Sequence, residues 1–158
     1  MKKIVLILVA CMLCGCSSEK KGEADKPKQS FKTKVTLSDG YEGELERADV
    51  SGWNLTLSAP ETVKGLGLSY LADGKCVITL ENHSAVYERS ELPQYGSVDL
   101  LVSALDMCAA ETGIEAEVKD GKTCRKGNIR GVPFTVVSEE GTPVSAELGT
   151  GVKAEFHN

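Results

Sequence analysis

The sequence predicts a mostly β fold with one main α-helix (α+β), an antiparallel curved sheet with a buried helix on its concave side. Three observations predict it. Apolar and polar residues alternate with a period of two over many short runs between Phe31 and Phe156, and such alternation marks strands with one face packed and the other in water. Turn formers separate the runs, as in "SDG" at 38–40, "ADG" at 72–74, "KDG" at 119–121 and "EEG" at 139–141. One stretch, 97–113, abandons the alternation for helical spacing.

The first element, 1–15, reads as a targeting segment outside the fold, with Lys2 and Lys3 as its positive start and Ile4 to Met12 as its apolar core. That core is shorter than the roughly 20 apolar residues that span a bilayer. Leu13, Cys14, Gly15 and Cys16 resemble the lipobox of bacterial lipoproteins. The resemblance implies that Cys16 is acylated on its sulfur and freed by cleavage after Gly15. The protein would then be anchored at the extracytoplasmic face of a membrane through acyl chains on Cys16. Leu8, Val9, Ala10 and Cys11 match the same pattern behind a shorter apolar run, and an ordinary secretory leader would also export the chain.

Without its leader the chain keeps 143 of 158 residues, one domain plus a tether. Lys2 and Lys3 leave with the leader, so 16 of the 18 Lys and Arg face 23 Asp and Glu, and the net charge moves from −5 to −7. Nucleic acid is excluded as a partner, because surfaces that bind it are basic. The same balance opposes a domain lying flat on anionic lipid. Residues 16–30 form the lipidated N-terminus and a disordered tether, since SSEKKGEADKPKQS at 17–30 contains no large apolar residue to offset the entropy of ordering. As a flexible coil it spans roughly 20 Å.

The domain occupies 31–158. In "YEGELERA", Tyr41, Gly43 and Leu45 share one face and Glu42, Glu44 and Glu46 the other; Trp53, Leu55 and Leu57 continue the pattern against Asn54, Thr56 and Ser58. Further strand runs are 66–71, 76–80, 85–88, 122–126, 134–139, 144–148 and 152–156. In 97–113, Val98, Leu101, Leu105, Cys108 and Thr112 fall at helical spacing, with Ser97 as the expected N-cap and Gly113 as the expected C-cap. Leu100, Val102, Ala104 and Met107 widen the apolar stripe, and a helix apolar on more than one side is buried.

A lipobox, a polar tether and a strand ladder containing "GWNLTLSAPETVKGLGLSY" resemble small bacterial lipoproteins of the LolA/LolB-like superfamily. The passage from a strand into Ala59, Pro60, Gly65 and Leu66 carries the likeness. The resemblance implies an unclosed half-barrel wrapped around the helix, with an apolar cavity that accepts acyl chains. Arg47 shares the face of Tyr41 and Leu45, where it is either such a cavity's arginine or a strand-end charge reaching solvent. Trp53, Leu55, Leu57, Leu66, Leu68, Tyr70, Ile78, Leu80, Phe134, Val136 and Phe156 are the inward residues that would line a ligand cavity, or simply fill the core.

Three cysteines remain in the domain. Cys108 and Cys124 are the expected disulfide pair, because a helix end and the strand it feeds are neighbours; Cys76 alternates with Ile78 and Leu80 as a small buried hydrophobe. No catalytic constellation stands out. His83 and His157 have no triad or zinc partners in sequence, "GLGLSY" lacks the third glycine of a dinucleotide loop, and no cofactor or metal is implied. Glu115 with Glu117 and Glu139 with Glu140 read as solvated strand faces and turns. The expected function is binding of a hydrophobic small molecule or acyl chain at the cell envelope. The alternative is a non-catalytic module whose acidic outer sheet face binds an envelope protein.

Overall fold

The computed structural model describes residues 23–48, 52–93 and 96–157. The leader, Cys11 and the lipidation site expected at Cys16 lie outside the described residues. Six strands come first: β1 (Ser30–Leu37), β2 (Glu42–Ala48), β3 (Gly52–Ala59), β4 (Gly67–Leu71), β5 (Lys75–Leu80) and β6 (His83–Glu88). Helix α1 (Ser97–Ala110) follows, and then β7 (Ile114–Lys119), β8 (Lys122–Ile129), β9 (Val132–Glu139), β10 (Thr142–Leu148) and β11 (Lys153–His157). All eleven strands form one antiparallel, unclosed sheet in the order β6-β5-β4-β3-β2-β1-β11-β10-β9-β8-β7. The two ends of the domain therefore meet in mid-sheet, with Val35 beside Phe156 and Leu37 beside Ala154.

Local sequence explains the hairpins. Asp120 and Gly121 both hold positive φ, 52° and 77°, between β7 and β8, and Arg130 and Gly131 do so at 51° and 89° between β8 and β9. Two central residues with positive φ match the twist of the strands they join. The Arg130 turn has no turn-forming triplet to announce it; Asn128 Oδ1 accepts from the Gly131 N–H at 2.7 Å and helps to hold it.

The core lies on one face of the sheet. Inward residues stack in rows across the strands, as in Leu45, Leu55, Leu68, Ile78 and Ala85 on one wing. On the other wing the row is Leu37, Ala154, Ala146, Val136 and Arg125. Helix α1 packs against β8, β9 and β10 and belongs to the same apolar cluster as both rows. Leu100, Leu101 and Val102 are consecutive and all fully buried, so most of the helix circumference is covered.

Four expectations are corrected. The helix ends at Ala110, short of Gly113, because Glu111 takes the left-handed conformation and its N–H closes back on Cys108 and Met107. Its N-cap is Gly96, with Ser97 the first helical residue. Strand β7 is not among the strand runs read above, although Ile114, Ala116 and Val118 alternate with Glu115, Glu117 and Lys119; it is an edge strand paired only with β8 and mostly exposed. The disulfide is absent: Cys76, Cys108 and Cys124 are free thiols. Parity is the reason, because Thr123 and Arg125 turn inward and place Cys124 between them on the other side, while Cys108 is buried in the core.

The tether is the fourth correction. Its last residues are held on the sheet, where the Lys28 N–H donates to the Gly141 carbonyl at 2.9 Å and the Asp25 N–H donates to Thr123 Oγ1 at 3.1 Å. Polarity alone marked 17–30 as disordered; of that stretch, residues 17–22 lie outside the described residues, and 25–28 are held by hydrogen bonds to a distant hairpin.

Candidate functional site

An apolar groove of about 300 Å³ lies where β3, β4 and β5 meet the entry to α1. Leu57, Leu68, Tyr70 and Ile78 form its strand wall, Val63 and Leu66 its end, and Leu92, Pro93 and Val98 the opposite wall. The strand wall follows from register, since Leu55 pairs with Leu68 and Leu68 with Ile78, setting their side chains on one face. A one-turn helix at Arg89–Glu91 closes at Leu92, and the Gly96 N–H then turns back to the Pro93 carbonyl at 3.3 Å before α1 begins.

Beside the groove, α1 carries a polar stripe on an otherwise apolar helix. Asp99, Ser103 and Asp106 stand at i, i+4 and i+7, and one arginine satisfies all three. Arg89 donates from Nε to Asp99 at 3.2 Å, from Nη2 to Ser103 at 2.8 Å and from Nη1 to Asp106 at 3.0 Å. Its guanidinium also lies 4.9 Å from the Tyr70 ring centroid. Arg130 donates to the other oxygen of Asp99 at 3.1 Å, and Trp53 Nε1–H donates to Asp106. Burial works against the Arg89 charge, but the hydrogen bonds it donates to Asp106 and Asp99 win and hold its pKa above the ordinary value. Burial pushes the Tyr70 phenol up. This network ties α1 to β3, to β4 and to the β8–β9 turn.

A second cleft of about 460 Å³ also borders Tyr70, with Arg47, Trp53, Leu71, Arg89, Asp106 and Ala109 among the residues of its walls. Arg47 stacks 5.0 Å above Trp53 and donates to Gln29 at 3.4 Å. Among the described residues, no group of three or more His, Cys, Asp and Glu side chains is placed to hold a metal ion, and no helix is long and apolar enough to cross a membrane.

On the opposite wing sits a carboxylate cradle. Arg125, 2% exposed, points inward from β8 and donates to Ser138 Oγ at 2.6 Å and to both the side chain and the main chain of Asp25. The Gly141 N–H donates to the other Asp25 oxygen. Gly141 has to be glycine here, because a Cβ would stand 2.2 Å from the Lys26 carbonyl. Burial alone would raise the Asp25 pKa, but hydrogen bonds with Thr123, Gly141 and Ser138 and the charge of Arg125 hold it below its ordinary value.

The eleven residues expected to line one cavity are divided by the fold. Leu57, Leu66, Leu68, Tyr70 and Ile78 meet in the groove. Trp53, Leu55, Phe134, Val136 and Phe156 are core residues under the helix. Leu80 is 47% exposed, at the exposed end of β5 beside β6, whose residues are all exposed. Sequence reasoning missed Arg89, Asp99, Asp106, Arg125 and Asp25. Signals were present for most of them: the polar stripe at helical spacing, and an arginine sharing the parity of Thr123 and Ile129, both buried.

No protein family and no curated protein sequence matches the chain. Among solved structures it is similar to a LolA superfamily protein from Nitrosomonas europaea, at 11% identity and a TM-score of 0.44 over 86% of this chain and 87% of that one.

Proposed function

We propose that this chain is an envelope lipoprotein, held at the outer face of a membrane by acyl chains on Cys16, whose sheet curves around α1 and holds a hydrophobic ligand. The groove between β3–β5 and the start of α1 carries this reading. Its lining is apolar, its one charged residue, Asp99, is already engaged by Arg89 and Arg130, and its volume reaches the range of small-molecule sites. The N-terminal sequence supports the anchor, since a lysine start, a short apolar run and a cysteine behind small residues are the chemistry of a lipidated leader.

A titration with a fluorescent fatty acid tests the ligand. Saturable binding is expected, lost when Leu68 or Ile78 is replaced by tryptophan. Mass spectrometry of the native N-terminus tests the anchor, which requires acyl mass on Cys16.

A second reading has its own observation. Every residue of the edge strand β6 is exposed, with Val86 at 62% and Tyr87 at 41%, and a strand edge of that kind is a template for pairing with another chain. Together with the outward acidic residues of β2 it favours a protein-binding module. No fatty-acid binding at all would favour this reading.

A further inference from the structure

Resting on the reading that Cys16 carries the membrane anchor, we infer that the docked segment 25–29 fixes which end of the domain faces the bilayer. That end is the rim formed by the β4–β5, β7–β8 and β9–β10 turns, and it brings the cleft beside Tyr70 to the lipid headgroups.

The antiparallel sheet has two such rims. On one, Ser30 stands beside Ala48 and Gly52 beside Leu71, and the β7–β8 and β9–β10 turns follow Lys119 and Glu139 on the same side. The β1–β2, β8–β9 and β10–β11 turns make the opposite rim. The N-terminal segment is fastened to the first. Thr123, Arg125, Ser138 and Gly141 hold Asp25, and Gln29 accepts from Arg47 at 3.4 Å, so 25–29 crosses from the β9–β10 turn to β2. Gln29 there joins Gly52, Leu71 and Gly74 in the wall of the 460 Å³ cleft.

Length then decides the orientation. Nine peptide steps separate Cys16 from Asp25, and fourteen separate it from Ser30. At no more than about 3.6 Å per residue they reach about 32 Å and about 50 Å. An eight-residue strand such as β3 spans about 26 Å. To turn the opposite rim to the bilayer, the domain would lift Asp25 by that height and pull the nine steps nearly straight, at a large loss of conformational freedom. A chain first held at Ser30 would keep slack in either orientation. The contact at Asp25 is therefore a latch that shortens the tether.

Charge disfavours the remaining posture. A domain lying on its sheet would press the outward Glu42, Glu44 and Glu46 of β2 on lipid, and anionic headgroups repel them. At the latched rim Lys75 pairs with Asp73 at 3.4 Å and Lys122 with Glu139 at 3.7 Å, and Leu71 is 39% exposed.

The test uses the full lipidated chain in vesicles of phosphatidylethanolamine and phosphatidylglycerol, with Cys124→Ser to remove the partly exposed thiol. A fluorophore is placed on Lys119→Cys at the latched rim or on Asp39→Cys at the opposite one, and a quencher attached to the lipid headgroups reports its distance from the bilayer. Quenching at 119 is expected to be several times that at 39. Gly141→Ala, whose Cβ meets the Lys26 carbonyl, should bring the two sites close to equal, whereas Gly121→Ala, with nearly the same φ and nothing within 4 Å, should keep the difference. Asp25→Ala releases the same latch by another route, so that poor folding of one variant leaves the other to decide. Equal quenching at 119 and 39 in a chain that floats with the vesicles would overturn the orientation while leaving the anchor. A difference that survives both Gly141→Ala and Asp25→Ala would overturn the latch as its cause. A chain that neither floats with the vesicles nor carries acyl mass on Cys16 would overturn the anchor reading itself.

Discussion

Arg125 and Asp25, one hundred positions apart in the chain, form an ion pair with Nη2 and Oδ1 3.4 Å apart, and the guanidinium is 2% exposed while the carboxylate is 27% exposed. A strand arginine has thus been turned inward, and the segment before β1 supplies its counter-charge. Removing one partner of such a pair leaves the other uncompensated in a poorly hydrated site. Asp25→Ala should destabilise the domain by about 2 kcal/mol, less than for a fully buried pair because Asp25 keeps some solvent. The double variant Asp25→Ala with Arg125→Met should recover most of that loss, since it removes the stranded charge. Urea unfolding of the two variants checks this; equal losses would show that Arg125 does not depend on Asp25.

The pair also fixes a pH dependence. The Asp25 pKa lies below its ordinary value of 3.8 in the folded protein, so the unfolded chain takes up its proton first as pH falls. The stability Asp25 contributes is fully present above about pH 5 and is lost as pH drops below about 4. The stability difference between wild type and Asp25→Asn should be constant from pH 5 to 8 and shrink towards pH 3. A difference that grows on acidification would contradict the sign.

Two glycines separate backbone strain from docking of the N-terminal segment. Gly121 and Gly141 have nearly the same φ, 77° and 78°, but a Cβ meets nothing within 4 Å at Gly121 and the Lys26 carbonyl at 2.2 Å at Gly141. Each change to alanine should cost about 1–2 kcal/mol for the left-handed backbone. Only Gly141→Ala should also lift residues 25–28 from the sheet. Limited trypsin digestion should then cut after Lys28 in Gly141→Ala and spare that bond in Gly121→Ala.

The cysteines should differ in reactivity. Burial pushes the Cys108 thiol up to about 12, so it holds almost no thiolate at neutral pH. Cys124, on the outer side of β8, is partly exposed. A thiol reagent should modify Cys124 in the native protein and reach Cys108 only on unfolding, as read by peptide mass mapping. A disulfide-linked peptide containing both residues would overturn the assignment of opposite faces.

Local chemistry determined much of this protein. Alternation at Tyr41–Leu45 and Trp53–Leu57 marked strands because side chains on a strand can only take two sides, and the apolar width of 97–113 marked a buried helix. The "KDG" and "EEG" triplets placed hairpins because a two-residue turn is decided by the φ values its own residues tolerate.

Tertiary structure alone decided the rest. Which inward residues fill the core and which wall the groove depends on where a 14-residue helix sits on the eleven-stranded sheet, and no residue carries that position in its own propensity. Leu68 and Val136 look alike as sequence, but Val136 is buried on β9, against which α1 packs, while Leu68 walls the groove at the start of α1. Asp25 sits in a run whose composition promises disorder. It is ordered because Arg125, Thr123, Ser138 and Gly141 converge on it from β8, β9 and the β9–β10 turn, and a contact across a hundred residues leaves no trace in the local pattern at either end.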